Sequence, residues 1–103
     1  MSDTIIVTGY LKVDPARHDD AVAAVLEVMR ATRAEEGNEG YTFAADLEQP
    51  GVFHIFEHWA SAAALDSHMA APHMATFLTS LGGLGLAGGG ATKWEGATGS
   101  KLM

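Results

Sequence analysis

Tyr41-Thr42-Phe43-Ala44-Ala45-Asp46-Leu47-Glu48-Gln49-Pro50-Gly51-Val52-Phe53-His54-Ile55-Phe56-Glu57-His58-Trp59 is the stretch that decides the fold. Tyr41, Phe43, Ala45 and Leu47 alternate onto one face of a strand, and Val52 to Trp59 is dense in aromatic and β-branched residues, which pack well on a pleated surface. Between them, Pro50 presets its own backbone angle and Gly51 tolerates a positive one, so Gln49-Pro50-Gly51 reads as a turn. The stretch predicts an antiparallel hairpin.

On its N-terminal side, Val22, Val25, Leu26 and Met29 fall three and four apart between His18 and Glu36, while Asp19, Asp20, Glu27, Arg30 and Arg33 mostly point elsewhere. That spacing predicts an amphipathic helix, ended at Gly37-Asn38. Further upstream, Thr4 to Val13 alternates as a β-branched strand with apolar residues on both faces, and Asp14-Pro15 stops it and opens the helix. On the C-terminal side, Ser61 caps a short helix to about Ala71 with Leu65 and Met69 inward, and Pro72 begins another helical turn carrying Met74, Phe77, Leu78 and Leu81. Gly82 to Gly90 reads as a flexible loop or lid, and Ala91 to Ala97, around Trp94, as a last strand.

The order β-α-β-β-α-β is that of an α+β ferredoxin-like split unit, a four-stranded antiparallel sheet with helices on one face. Residues 1–103 are expected to form one domain, with a core over 4–81, a glycine-rich loop over 82–90 and a last strand over 91–97. The sheet face away from the helices must meet water or another chain. Its apolar residues favour a homodimer of the α/β barrel type.

The chain has 103 residues, of which 48% are hydrophobic and 18% charged, enough apolar material for one core. The net charge of −7 opposes both nucleic acid and an anionic membrane surface. With no cysteine, thiolate metal sites, iron–sulfur clusters and a cysteine nucleophile are excluded. The absence of a basic leader before Ile5-Ile6-Val7 and of any run near the roughly 20 apolar residues of a spanning helix fits a reducing cytoplasm.

Gly83-Leu84-Gly85-Leu86-Ala87-Gly88 satisfies G-x-G-x-x-G formally, but no strand precedes it and no helix follows, so it does not predict a nucleotide site. Five histidines, His18, His54, His58, His68 and His73, raise the question of a metal. His54 and His58 share a strand face about 13 Å apart at the strand rise, too far to share an ion, so no metal site is expected. Glu57 lies in an apolar strand, where an ionised carboxylate must be paired or hydrogen-bonded; a structural partner is the plainer account and a catalytic carboxylate the sharper one. His68 and His73 flank the helical break, and imidazole as a group suits the role of a general base near neutral pH; packing or capping would equally place them there. Trp59 and Trp94 are candidates for the core or for a platform holding a flat ligand.

Glu35-Glu36-Gly37-Asn38-Glu39-Gly40-Tyr41, then Phe56-Glu57-His58-Trp59-Ala60-Ser61, then Leu65, His68 and Pro72-His73-Met74 with Phe77, resemble the running pattern of the antibiotic-biosynthesis monooxygenase family, in particular its quinol monooxygenase branch. The resemblance covers roughly residues 4 to 81. It implies a dimer of ferredoxin-like subunits and a monooxygenase that oxidises a small quinol or phenol with dioxygen and no metal, flavin or other cofactor. Deprotonation makes such a substrate an electron donor to oxygen, so the protein supplies a dry pocket, a base and oriented donors.

Carried over, the resemblance places Trp59, His68 and His73 around the pocket, with Tyr41 and Asn38 at its edge; the reading of the residues themselves adds His73 or His68 as the base and Glu57 and Trp94 as further substrate contacts. Ile55 stands where anthrone oxygenases of the family carry Asn, and Gly9 where haem-degrading relatives do, which favours quinol oxidation. Two alternatives remain open: isomerisation of a small hydroxy-ketone, and a non-catalytic ligand-binding or stress-response dimer.

Overall fold

The computed structural model describes residues 2–103. Strand β1 (Ile5–Lys12) leads through a single 3-10 turn at Pro15–Arg17 into α1 (His18–Arg33). Strands β2 (Asn38–Ala45) and β3 (Val52–Trp59) follow, then α2 (Ala62–Met69), α3 (Pro72–Gly82) and β4 (Gly88–Glu95). The strands lie in the order β2-β3-β1-β4 and every pairing is antiparallel, which is the ferredoxin-like arrangement with the helical break at Pro72.

Local chemistry accounts for the junctions. Asp14 Oδ1 accepts from the Ala16 N–H at 2.9 Å, so the predicted Asp-Pro start caps the 3-10 turn one step before the α-helix. Ser61 Oγ accepts from the Ala64 N–H at 3.2 Å and caps α2 as expected. In the hairpin turn, Gly51 takes a φ of +85°, and a Cβ there would sit 2.5 Å from the Val13 carbonyl oxygen, so glycine is required twice over. A bulge between Asn38 and Gly40 offsets β2 against β3.

The core lies between the sheet and the helices. Ile5, Val7 and Leu11 from β1, Tyr41 and Phe43 from β2, and Phe53 and Trp59 from β3 pack on Val25 and Val28 of α1 and on Leu65, Met74, Phe77 and Leu81 of α2 and α3. The Arg33 Nε–H donates to the Tyr41 carbonyl at 2.9 Å and ties the end of α1 to β2.

The glycine-rich segment departs from the expected loop over 82–90. Gly82 closes α3, and Gly88, Gly89 and Gly90 pair with Lys12, Leu11 and Tyr10, so the last strand begins three residues earlier than Ala91. The reason is close backbone approach. A Cβ on Gly9 would meet the Gly90 carbonyl oxygen at 2.3 Å and one on Gly89 the Tyr10 oxygen at 3.1 Å, so glycines here serve pairing as well as flexibility. Among the described residues, no helix is long and apolar enough to cross a membrane.

Candidate active site

Between the inner sheet face and α2 and α3 lies an open groove with a volume of about 430 Å³. Apolar side chains including Val7, Phe43, Ile55, Met74, Phe77 and Leu81 form most of its wall. Tyr41 and Glu57, opposite each other on β2 and β3, supply polar groups, while Asp66 and Lys93 add others from α2 and β4. A pocket that is mostly apolar with a few convergent polar groups is the usual form of a small-molecule site.

Glu57 and Trp59 are two residues apart on β3 and therefore share a face. The Trp59 Nε1–H donates to Glu57 Oε1 at 2.9 Å. Burial pushes the Glu57 carboxyl up from its ordinary value, against the opposing pull of the Trp59 N–H and of His68. Burial and then the Glu57 charge likewise push the Tyr41 phenol up, so Tyr41 stays protonated at neutral pH and remains a donor.

Behind this wall sits His68, fully buried, its ring centroid 4.8 Å from that of Trp59 and 5.2 Å from that of Tyr41. His68 Nδ1 is 2.6 Å from Glu35 Oε2, and His73 Nε2 is 2.9 Å from the same oxygen. Beside an ionised carboxylate each of these nitrogens donates, and the other nitrogen of His68, Nε2, is buried without a partner. The donor atoms of Glu35, His68 and His73 all lie within 4.8 Å of one another.

The family model for antibiotic biosynthesis monooxygenase matches residues 4–80. This chain belongs to the antibiotic biosynthesis monooxygenase family. It is 33% identical over 76 residues to an uncharacterized protein of Synechocystis, covering 74% of this chain and 52% of that protein, so the chain spans about half of that relative's length. It is 27% identical over 74 residues to YcnE, a candidate monooxygenase of Bacillus subtilis, covering 72% of this chain and 78% of that protein. The solved structure of a candidate antibiotic biosynthesis monooxygenase from Deinococcus radiodurans superposes with a TM-score of 0.89 at 28% identity, covering 96% of this chain and 98% of that one. A counterpart from Caulobacter crescentus shares the fold, with a TM-score of 0.86 at 20% identity over 94% of this chain and 92% of that one.

Against what the family resemblance implied, the residues divide. Tyr41, Trp59, Glu57 and His68 come together, with Tyr41 and Glu57 on the groove. His73 does not line the groove: the start of α3 turns its ring toward Glu35, and it borders a separate small cleft whose lining includes Ala24, Glu27 and Val28 of α1. Asn38 folds its amide back onto its own bulge, donating to the Gly40 carbonyl at 3.1 Å. Trp94 pairs in register with Ile6, on the sheet face away from the helices, and donates to Thr8 Oγ1 at 2.8 Å, so it is no platform for a ligand in the groove.

The remaining histidines have structural partners: His18 Nδ1 accepts from the Gly51 N–H, His54 pairs with Asp46 and His58 with Glu39. Glu35 received no role from the sequence. It stands 33 residues from His68, and only the return of α2 over the hairpin brings them together.

Proposed function

We propose that this chain is a monooxygenase that oxidises a small quinol or phenol with dioxygen in the groove between the sheet and α2–α3, using the substrate's own electrons rather than those of a resident cofactor. The observation that carries this reading is Glu57, a buried carboxylate of raised pKa on a mostly apolar groove, in a chain of the monooxygenase family. A carboxylate whose proton affinity is raised by burial is a better base for a phenolic proton than an exposed one, and the apolar wall beside it limits the water around the phenolate.

In this reading Glu57 takes the substrate hydroxyl proton. The ring carbon of the resulting phenolate forms a bond to dioxygen, and Glu57 returns the proton to the distal oxygen, giving a hydroperoxide. Loss of the ring hydrogen as a proton, with hydroxide leaving from the O–O bond, yields a carbonyl and water. One oxygen atom stays on the product and the other leaves as water. Tyr41, held protonated, donates to the substrate or to the developing peroxide. His68, buried behind the wall, does not meet the substrate and acts by packing against the Trp59 and Tyr41 rings.

The Glu57 base replaces the His73 or His68 base of the sequence reading, because neither histidine faces the groove. The proposed setting is the reducing cytoplasm, on the cysteine-free composition. Isomerisation of a phosphorylated hydroxy-ketone fits less well: Lys93 is the one cation lining the groove, and it is paired with Glu95 at 3.0 Å.

The test is oxygen uptake by purified protein with a panel of quinols and naphthols, paired with mass spectrometry of product formed under heavy-isotope dioxygen. The expected result is uptake above autoxidation, one labelled oxygen per product, and loss of both in Glu57→Gln. Uptake no faster than autoxidation across the panel overturns the reading.

A further inference from the structure

Glu35, His68 and His73 arrive from three separate places: the turn after α1, the last turn of α2 and the first turn of α3. Both imidazoles address a single carboxylate oxygen, at 2.6 and 2.9 Å. Hydrogen bonding alone does not require this, since an ionised carboxylate offers about four acceptor positions over two oxygens. Convergence of two imidazoles and a carboxylate on one point is the donor set of sites for zinc, cobalt and iron(II).

The distances suit such an ion with little rearrangement. Metal–nitrogen and metal–oxygen bonds of about 2.0–2.2 Å place adjacent donors about 3.3–3.5 Å apart in a tetrahedral site, so the two rings must draw back from the Glu35 oxygen by roughly 0.4–0.9 Å, within reach of side-chain rotation. The site is also anchored and reachable. His68 is pinned between the Trp59 and Tyr41 rings, whereas the side chains of His73 and Glu35 keep 27% and 16% of their surface open to solvent for entry of an ion and its remaining water ligands. The Glu35 carboxylate supplies the negative charge that a cation site needs.

We propose that Glu35 Oε2, His68 Nδ1 and His73 Nε2 form a binding site for a divalent transition-metal ion of the zinc type. In the bound form each imidazole carries its proton on the other nitrogen. None of the three residues lines the groove, so the ion does not meet the substrate. It clips α2 and α3 to the turn after α1 and thereby fixes the helical wall of the groove. The inference stands apart from the oxygenase reading and is tested without turnover.

Protein stripped with a chelator is titrated with zinc by calorimetry and with cobalt(II) by visible absorption, and its melting temperature is followed in parallel. The expected result is one equivalent bound, cobalt bands of a nitrogen–oxygen site, a higher melting temperature with metal, and affinity lowered by about 10-fold or more in both Glu35→Gln and His73→Ala. His54→Ala, on the surface pair with Asp46, leaves binding unchanged. His73 is partly exposed, so its loss leaves the fold intact and the comparison valid. Binding weaker than about 100 μM overturns the proposal, as does tight binding that survives His73→Ala or is removed by His54→Ala.

Discussion

The Trp59 indole N–H donates to the Glu57 carboxylate at 2.9 Å, across two residues of one strand face. Trp59 is fully buried and Glu57 nearly so. One good donor does not replace the water a carboxylate loses on burial, so the proton is held more tightly in the folded chain than in the unfolded one. The same geometry that keeps the indole satisfied therefore leaves a reactive acid on the groove.

Glu57→Gln tests this through stability. The folded pKa lies above the unfolded one, so the native state binds the proton better. The stabilising contribution is complete below the unfolded carboxylate pKa of about 4.3 and is lost as pH rises through the folded value. Glutamine mimics the protonated form and still accepts from Trp59. The variant should melt a few degrees above the parent at pH 7 to 8, with the difference shrinking toward pH 4. Equal melting temperatures across that range would mean that burial does not penalise the charge.

His68→Ala removes a fully buried ring held between Trp59 and Tyr41 and takes one donor from Glu35. Loss of a large buried side chain with incomplete collapse costs about 2–4 kcal/mol. His73→Ala removes a partly exposed ring and should cost about 1 kcal/mol or less, as a hydrogen bond near the surface does. Urea unfolding of both variants checks the ordering. A larger loss for His73 would place the structural weight on the wrong histidine.

Much of this was legible in the chain, for physical reasons. The hairpin is written in period-two alternation and a Pro-Gly turn, and the helices in three-and-four spacing with Asp14, Ser61 and Pro72 at their starts. Local signals of this kind specify elements, and the order of elements restricts the topology. Strand face was harder. Trp94 is placed on the outer face by its register with Ile6, which depends on a strand beginning at Gly88, and three glycines carry no alternation to read. Glu35 was illegible as a site residue because its partners lie 33 and 38 residues away, so only tertiary closure reveals the pair. Trp59 and His68 were singled out because the family pattern spaces them, and Glu57 because a charge inside an apolar strand is costly enough to need a reason.

The outer sheet face predicts assembly. Tyr10, Phe56 and Trp94 lie there with 47%, 44% and 55% of their surface exposed, flanked by Ile6. Aromatic residues grouped on one uncovered sheet face are what a second copy would bury, and a two-fold pair of such faces is self-complementary. Light scattering at micromolar concentration should give a dimer for the parent chain and a monomer for Phe56→Asp, which puts a charge at the centre of the patch. A parent chain that is monomeric, or a Phe56→Asp variant that stays dimeric, would place the contact elsewhere or remove it.

Two glycine-to-alanine substitutions should act in opposite directions and so separate close approach from flexibility. In Gly9→Ala the new Cβ would sit 2.3 Å from the Gly90 carbonyl oxygen and 2.9 Å from the Ala91 Cα, all backbone contacts that cannot swing aside. β1 and β4 must part locally, and about 2 kcal/mol or more of stability should be lost, together with amide-exchange protection across Gly88–Glu95, while protection in the β2–β3 hairpin persists. In Gly82→Ala the Cβ meets nothing within 4 Å, and the residue sits in the last turn of α3 at an ordinary helical angle. Removing unfolded-state freedom there should stabilise the chain by about 0.4–1 kcal/mol. If both variants lose stability equally, the glycines serve flexibility throughout and the close pairing of β4 on β1 is not what holds the last strand.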